Sequence, residues 1–240
     1  MKRITSLMFI VIMMAVLTTV VSITSCKKES QSLTPDKISE EATLSNSAKN
    51  SAPLKVDGMQ AYLRVRNSAG QMVNAATTGN PLLFTRRGSQ SGTSLIELKA
   101  PDGHQLRLAE FKTVSGWADF KCINTGTHGV FHMKGLIPNG VYTLWIFAFG
   151  SPGPPNLMGA GPFGELDGSN NSFVADAEGT ASISITMADL SGIHATGNCL
   201  SSVYEFHVLA AYHPDQKTYG SMPGNFWVGQ IFFPVLGIKL

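Results

Sequence analysis

The stretch from Gly179 to Met187, GTASISITM in one-letter code, alternates apolar and hydroxyl-bearing residues after its glycine. Successive side chains of an extended chain point to opposite sides, so one side of this segment is apolar and the other is polar. Residues 59–66, MQAYLRVR, alternate in the same way. The pattern predicts two strands, each with one face in a hydrophobic core and the other in solvent.

Turn-forming residues separate further strand candidates. Pro101-Asp102-Gly103 and Pro138-Asn139-Gly140 lie between apolar runs, and Asp176-Ala177-Glu178-Gly179 is typical of a hairpin turn. No stretch after residue 55 combines a helical period with capping signals. We therefore predict an all-β fold, an antiparallel Greek-key β-sandwich forming one domain over residues 56–240, with two small β domains meeting near Gly116 as the alternative. The other strand candidates are residues 82–85, 94–99, 104–111, 130–134, 141–149, 172–176, 203–212 and 226–235.

Glycine and proline dominate one long segment. They supply ten of the 19 residues from Gly150 to Gly168. Proline cannot donate a ladder hydrogen bond, and the segment is too long for a hairpin turn. We predict an extended loop that crosses one end of the sandwich.

Residues 1–25 have the features of a secretory signal peptide. Two basic residues at positions 2 and 3 precede an uncharged apolar run over residues 4–21. The next residues, Ile23-Thr24-Ser25-Cys26, resemble the lipobox of bacterial lipoproteins. The resemblance implies cleavage before Cys26 and acylation of its sulfur and new amino group, which gives durable membrane anchoring. Lys27-Lys28 do not resemble an inner-membrane retention signal, so we expect the protein to be anchored in the outer membrane. The alternative to cleavage and acylation is an uncleaved signal anchor with an incidental cysteine.

Residues 26–55 are predicted to form a flexible tether. They are rich in Ser, Thr, Asn, Gln, Lys and Glu and contain no aromatic residue, so they cannot bury enough apolar area to offset their ordering entropy. The whole chain of 240 residues has a formal net charge of +2, and loss of the leader leaves 16 basic against 16 acidic residues. This balance excludes the concentrated basic field that nucleic-acid binding needs.

Cys122 and Cys199 are the two cysteines that remain once Cys26 is acylated. Outside the cytoplasm they are a candidate disulfide, and a bridge over about 77 residues would stabilise the fold by about 4 kcal/mol. Two buried free thiols are the alternative. The chain has no His-x-His pair, nucleophile elbow, phosphate loop or paired-cysteine zinc pattern, so we predict no metal site and no cofactor.

One polar loop after a predicted strand is the candidate ligand site. It contains His213, Asp215, Lys217 and Tyr219. Asp215 would raise the pKa of His213 or orient its imidazole, while Lys217 and Tyr219 would meet an anionic or hydroxylated ligand. The alternative is a turn in which Asp215 caps backbone amides and His213 is solvated.

Aromatic side chains supply a second candidate, because flat apolar rings suit the faces of sugars. Trp145 lies within a continuous apolar run and is expected in the core. Trp227, beside Gly224 and Asn225, is expected to be more exposed than Trp145. The aromatic residues considered for such a platform are Trp117, Tyr142, Trp145, Phe226 and Trp227.

Several segments resemble known groups of proteins. Residues 135–150, 164–166 and 174–181 together resemble copper/zinc superoxide dismutase, which implies a Greek-key β-sandwich. Trp145 and Phe147 stand where that family has its copper-binding histidines, so the resemblance implies no dismutase activity. Residues 138–145, 167–173 and 212–220 are similar to recurrent segments of secreted bacterial proteins whose activity is uncharacterised.

These observations predict a lipid-anchored protein of the cell envelope that is a non-catalytic binding or structural module with a glycan or protein ligand. A small extracytoplasmic enzyme, metal-assisted and using the His213 loop, is the alternative.

Overall fold

The computed structural model describes residues 52–87 and 94–236. The predicted leader, Cys26 and most of the predicted tether therefore lie outside the described residues. Twelve strands, one short α-helix, α1, and two 3-10 helices, Ser191–Ile193 and Leu200–Ser202, occur in the described part. In chain order the strands and α1 are β1 Leu54–Asp57, β2 Met59–Leu63, β3 Phe84–Thr85, β4 Ile96–Glu97, α1 Leu108–Lys112, β5 Ser115–Ile123, β6 Gly126–Lys134, β7 Val141–Phe149, β8 Leu157–Pro162, β9 Ser172–Val174, β10 Ala181–Met187, β11 Glu205–His213 and β12 Val228–Val235.

Two antiparallel sheets form the body of the protein. The four-stranded sheet has the order β1-β5-β6-β10, and the six-stranded sheet has the order β2-β12-β11-β7-β8, with β9 also paired to β7. Because β10 lies beside β6 and β11 lies beside β7, the chain crosses between the sheets repeatedly, as a Greek key requires. The prediction of an all-β antiparallel sandwich is confirmed.

Phenylalanine side chains join the inner faces of the two sheets. Phe120 of β5 meets Phe163 and Phe206 edge-on, with ring centroids 6.0 and 5.2 Å apart. Phe131 of β6 meets Phe233 of β12 in the same way at 5.4 Å. Edge-to-face packing suits the quadrupoles of aromatic rings, so these contacts hold the sheets together beyond the area they bury.

A buried polar network crosses the same core. The Tyr142 hydroxyl accepts a hydrogen bond from the Ile137 N–H at 2.8 Å and donates to Gln230 Oε1 at 2.6 Å. The Gln230 side chain in turn donates from Nε2 to the Phe111 carbonyl at 3.2 Å. The network therefore ties β7 and β12 to the turn after β6 and to helix α1.

The structure contains a disulfide between Cys122 and Cys199, whose Cα atoms lie 5.7 Å apart. It joins β5 to the segment between β10 and β11, across 77 residues of chain. Gly116 lies inside β5, and the main hydrophobic core takes residues from both sides of it.

Three local predictions are wrong. The apolar side of residues 59–63 does not face the main core, because Met59 and Leu63 are 53% and 46% exposed while Tyr62 is buried in that core. Residues 104–111 do not form a strand, because helix α1 begins at Leu108. The Glu110 carboxylate stabilises this start by accepting the Arg107 backbone N–H at 2.8 Å. The segment from Gly150 to Gly168 is not wholly a loop, because β8 lies within it and pairs with β7. Gly159 permits this strand, since a Cβ there would lie 2.6 Å from the Ile193 Cα. Strand β5 was not predicted, and the first two residues of β1, Leu54 and Lys55, lie within the predicted tether.

Candidate functional site

Strand β11 ends at His213, whose side chain points into the protein. His213 is fully buried, and its Nε2 lies 2.7 Å from the hydroxyl oxygen of Thr143. The same oxygen accepts the Trp145 indole N–H at 2.6 Å, which leaves the Thr143 proton free to donate to a neutral imidazole. Burial lowers the pKa of His213 to about 4, against the opposing effects of the Asp215 charge and the Phe226 backbone. His213 therefore does not face solvent as either alternative for this loop expected.

The other loop residues are only partly brought together. The Tyr219 hydroxyl donates to Asp215, and this bond raises the pKa of Tyr219. Asp215 Oδ1 also accepts the Lys217 backbone N–H at 3.4 Å, as expected of a turn-capping carboxylate. The Lys217 side chain is exposed, and the Tyr219 ring centroid lies 6.4 Å from that of His213. The loop thus contains a closed Asp–Tyr pair beside a buried imidazole.

Trp227 is half-buried and belongs to a small apolar cluster on the outward side of the six-stranded sheet. Its neighbours in that cluster are Trp145, Leu209 and Ala211. The Arg64 guanidinium carbon lies 4.0 Å above the Trp227 ring, where burial lowers the arginine pKa. Trp145 is buried as expected, although it lies in this outer cluster rather than in the main core. The Trp227 ring is therefore covered on one face by Arg64.

A different tryptophan stands on the outward side of the four-stranded sheet. Strand alternation turns Ala118 and Phe120 into the core and leaves Trp117 on the solvent side. The centroids of the Trp117 and His132 rings lie 4.0 Å apart, and Lys55 Nζ lies 4.4 Å from the centroid of the Trp117 ring. We call the outward side chains of this sheet the tryptophan face. By register it consists of Lys55, Asp57, Trp117, Asp119, Lys121, His128, Val130, His132, Lys134, Ser182, Ser184 and Thr186.

Hydroxyl and imidazole groups form hydrogen bonds along this face. His132 Nδ1 lies 3.1 Å from Ser182 Oγ. His128 bridges two hydroxyls of β10, with Nδ1 at 3.0 Å from Thr186 and Nε2 at 3.2 Å from Ser184. These bonds hold both imidazole rings against the sheet. The histidines are thereby held in place while the edges of their rings remain near solvent.

A shallow groove of about 330 Å³ adjoins Trp117. Its walls include Trp117, His132, Lys134, Thr180 and Ser182. One aromatic wall, one imidazole, one ammonium group and two hydroxyls are suited to a ligand with both flat apolar faces and hydroxyl groups. The three lysines and two aspartates of the whole face give it a small net charge, which does not favour a polyanion.

Sequence reasoning named Trp117 but did not identify its neighbours. The alternation of residues 117–121 and of residues 181–187 shows which side chains share a face within each strand. Which strands adjoin depends on pairings between residues about 50 to 60 positions apart, such as His128 with Thr186. No local pattern specifies those pairings.

No helix in the described ranges has the length and apolar character needed to cross a bilayer. Within the same ranges, no three histidine, cysteine or carboxylate side chains lie close enough together to hold a metal ion. No protein-family model matches this chain, and no curated protein sequence matches it either.

Proposed function

We propose that this protein is a lipid-anchored module of the cell envelope that binds glycans, without catalysis, through its tryptophan face. The anchoring part of the proposal rests on the signal-like residues 1–25 and the lipobox-like segment that ends at Cys26. The single observation that carries the binding part is the half-buried Trp117 on a solvent-facing sheet surface beside a groove.

The chemistry of the face favours a sugar over other ligands. The π face of an indole carries partial negative charge, which attracts the C–H groups on the flat side of a pyranose ring. Ser182 and His132 can donate to or accept from sugar hydroxyls, and Lys134 can donate to ring or hydroxyl oxygens. Such a site needs no strong net charge, in agreement with the near balance of lysine and aspartate on this face.

Lys55 Nζ lies over the Trp117 ring, 4.4 Å from its centroid. An exposed cation–π contact contributes only about 0.5–1 kcal/mol. The lysine side chain is long and exposed, so a sugar ring can displace it from the indole at small cost. His132 stays against the ring because Ser182 holds its Nδ1.

A glycan array probed with the full mature protein in detergent micelles tests the binding proposal. Titration calorimetry with any glycan that binds would then compare the wild type with Trp117→Ala and Trp227→Ala. We expect Trp117→Ala to weaken binding at least about tenfold and Trp227→Ala to leave it within about twofold. Absence of any bound glycan, or equal binding by wild type and Trp117→Ala, would refute the proposal.

The anchor has its own test. Incorporation of labelled palmitate into the full chain, and its recovery with outer membranes, are expected for the wild type. Cys26→Ala should abolish both. A labelled Cys26→Ala protein would contradict the lipobox interpretation and leave the glycan result unaffected.

A further inference from the structure

Strand β10 forms one edge of the four-stranded sheet. It pairs along all seven residues with β6, and no strand in the described ranges pairs with its other side. The backbone N–H and C=O groups that point away from β6, about half of those in the strand, therefore have no ladder partner in the described ranges. A free edge of this length is a template for another strand.

The edge lacks the features by which proteins usually block such pairing. Its sequence, ASISITM, has no charged residue, no proline and no glycine. The other sheet edges differ. Strand β1 is short and bears Lys55 and Asp57, β2 has an irregular register with β12, and β8 contains two glycines and Pro162. Among the edges described, β10 is the one suited to strand addition.

The sequence of β10 is symmetric in residue type about Ser184. Residues 182–186 read SISIT, with an isoleucine on each side of Ser184 and a hydroxyl residue beyond each isoleucine. In an antiparallel pair centred on this residue, Ser184 lies opposite Ser184 of the other strand. Ser182 then lies opposite Thr186, and Ile183 lies opposite Ile185.

We infer that β10 pairs antiparallel with β10 of a second copy of this chain, about a two-fold axis through Ser184. Every cross-strand pair in this register is favourable. Hydroxyl residues lie opposite hydroxyl residues on the outward side, and isoleucines lie opposite isoleucines on the inward side. Each such cross-strand pair contributes about 0.2–1 kcal/mol to the stability of the paired strands. A two-fold contact needs a self-complementary surface, which this symmetry supplies. A second copy is therefore favoured over an unrelated strand.

The axis runs perpendicular to the sheet, so the two four-stranded sheets become one sheet of about eight strands. Both tryptophan faces then lie on the same side of that sheet. If the proposed glycan binding holds, the dimer presents two sugar sites to one surface and gains affinity for repetitive glycans through multivalency. The dimer itself rests on β10 alone and does not depend on glycan binding.

Cysteine cross-linking in native membranes tests the register directly. Opposed residues in an antiparallel pair have Cα atoms about 4.5–5.5 Å apart, which suits a disulfide. In the full chain carrying Ser184→Cys, mild oxidation should therefore give a dimer on a non-reducing gel. Ser182→Cys is the matched control, because two copies of residue 182 would lie about 14 Å apart. Two further samples are controls. Ser169→Cys, which is exposed and lies outside β10, measures cross-linking by random collision. The wild type measures the cross-linking that Cys26 contributes.

We expect Ser184→Cys to form at least about ten times more dimer than either control. Dimer no more abundant than with Ser169→Cys, or equal amounts with Ser182→Cys, would overturn the inference. Cross-linking of Ser184→Cys to a protein of different mass would show that a foreign strand occupies the edge. As a second measurement, light scattering on detergent-solubilised protein should give twice the chain mass for the wild type and the single-chain mass for Ser184→Lys, with an unchanged circular dichroism spectrum. A wild type with the single-chain mass refutes the dimer.

Discussion

Replacing Tyr142 by phenylalanine removes one oxygen atom from the buried contact between the two sheets. The ring should keep its place, because it stacks on Phe173 with centroids 5.2 Å apart and an interplanar angle of 10°. Two polar groups lose their partner: the Ile137 N–H and Gln230 Oε1. Tyr142 and Gln230 are both fully buried, so water does not readily replace the missing hydroxyl.

The magnitude follows from those two groups. A buried polar group left without a hydrogen bond costs about 1–3 kcal/mol. Two such groups lower the free energy of unfolding by about 2–6 kcal/mol, and we expect about 3 kcal/mol for Tyr142→Phe because the backbone turn at Ile137 can relax. That is a large share of the total stability of a typical domain.

Urea unfolding followed by circular dichroism measures the effect. The midpoint for Tyr142→Phe should fall while the slope stays that of the wild type. Tyr204→Phe is the control, since Tyr204 is 44% exposed and should change stability by less than about 0.5 kcal/mol. The Tyr142→Phe and Gln230→Leu double variant should lose less stability than the sum of the two single variants. A loss below about 1 kcal/mol for Tyr142→Phe, or additive losses, would refute the network as described.

Three further results are expected. Because the pKa of His213 is about 4 when folded and near 6.5 when unfolded, stability should fall by up to about 3 kcal/mol as pH drops from 6.5 to 4, and His213→Asn should lose this dependence in urea titrations at stepped pH. Replacing Cys122 and Cys199 by alanine should lower the free energy of unfolding by about 4 kcal/mol, and an unchanged urea midpoint would contradict a structural bridge. Gly126→Ala, whose Cβ would lie 2.2 Å from a main-chain oxygen, should cost about 2–3 kcal/mol by thermal unfolding, whereas Gly161→Ala has open space and should cost less than about 1 kcal/mol.

Local patterns predicted two kinds of strand, those that alternate strictly in polarity and those that are apolar throughout. Strand β10 and the apolar β7 were both recognised, because their side chains either alternate strictly or are apolar throughout. Strand β5 was missed although residues 117–121 alternate, because its outward residues include Asp119 and Lys121, which have low β-propensity. Helix α1 was missed because it has only five residues and its defining contact is one carboxylate on one backbone amide.

The candidate site was harder to predict for a physical reason. A polar loop such as residues 213–219 is conspicuous in a sequence, yet burial decides whether its groups can act. His213 ends a strand whose outward side is itself covered, so the most reactive residue type in the loop is enclosed. The tryptophan face, in contrast, is assembled from four strands, of which only β5 and β6 follow each other along the chain and pair with each other.

A difference between the two outward faces of the sandwich is the reason that we propose recognition on the four-stranded sheet. On the six-stranded sheet, Leu209 and Ala211 of β11 point outward and are nonetheless buried, with Trp145 and Trp227 packed against them. An aromatic ring there contributes to packing. On the four-stranded sheet, no comparable apolar cluster of described residues surrounds Trp117, whose neighbours are an ammonium group and an imidazole. A large aromatic side chain in that polar setting stabilises little core, so binding is the better explanation for its position.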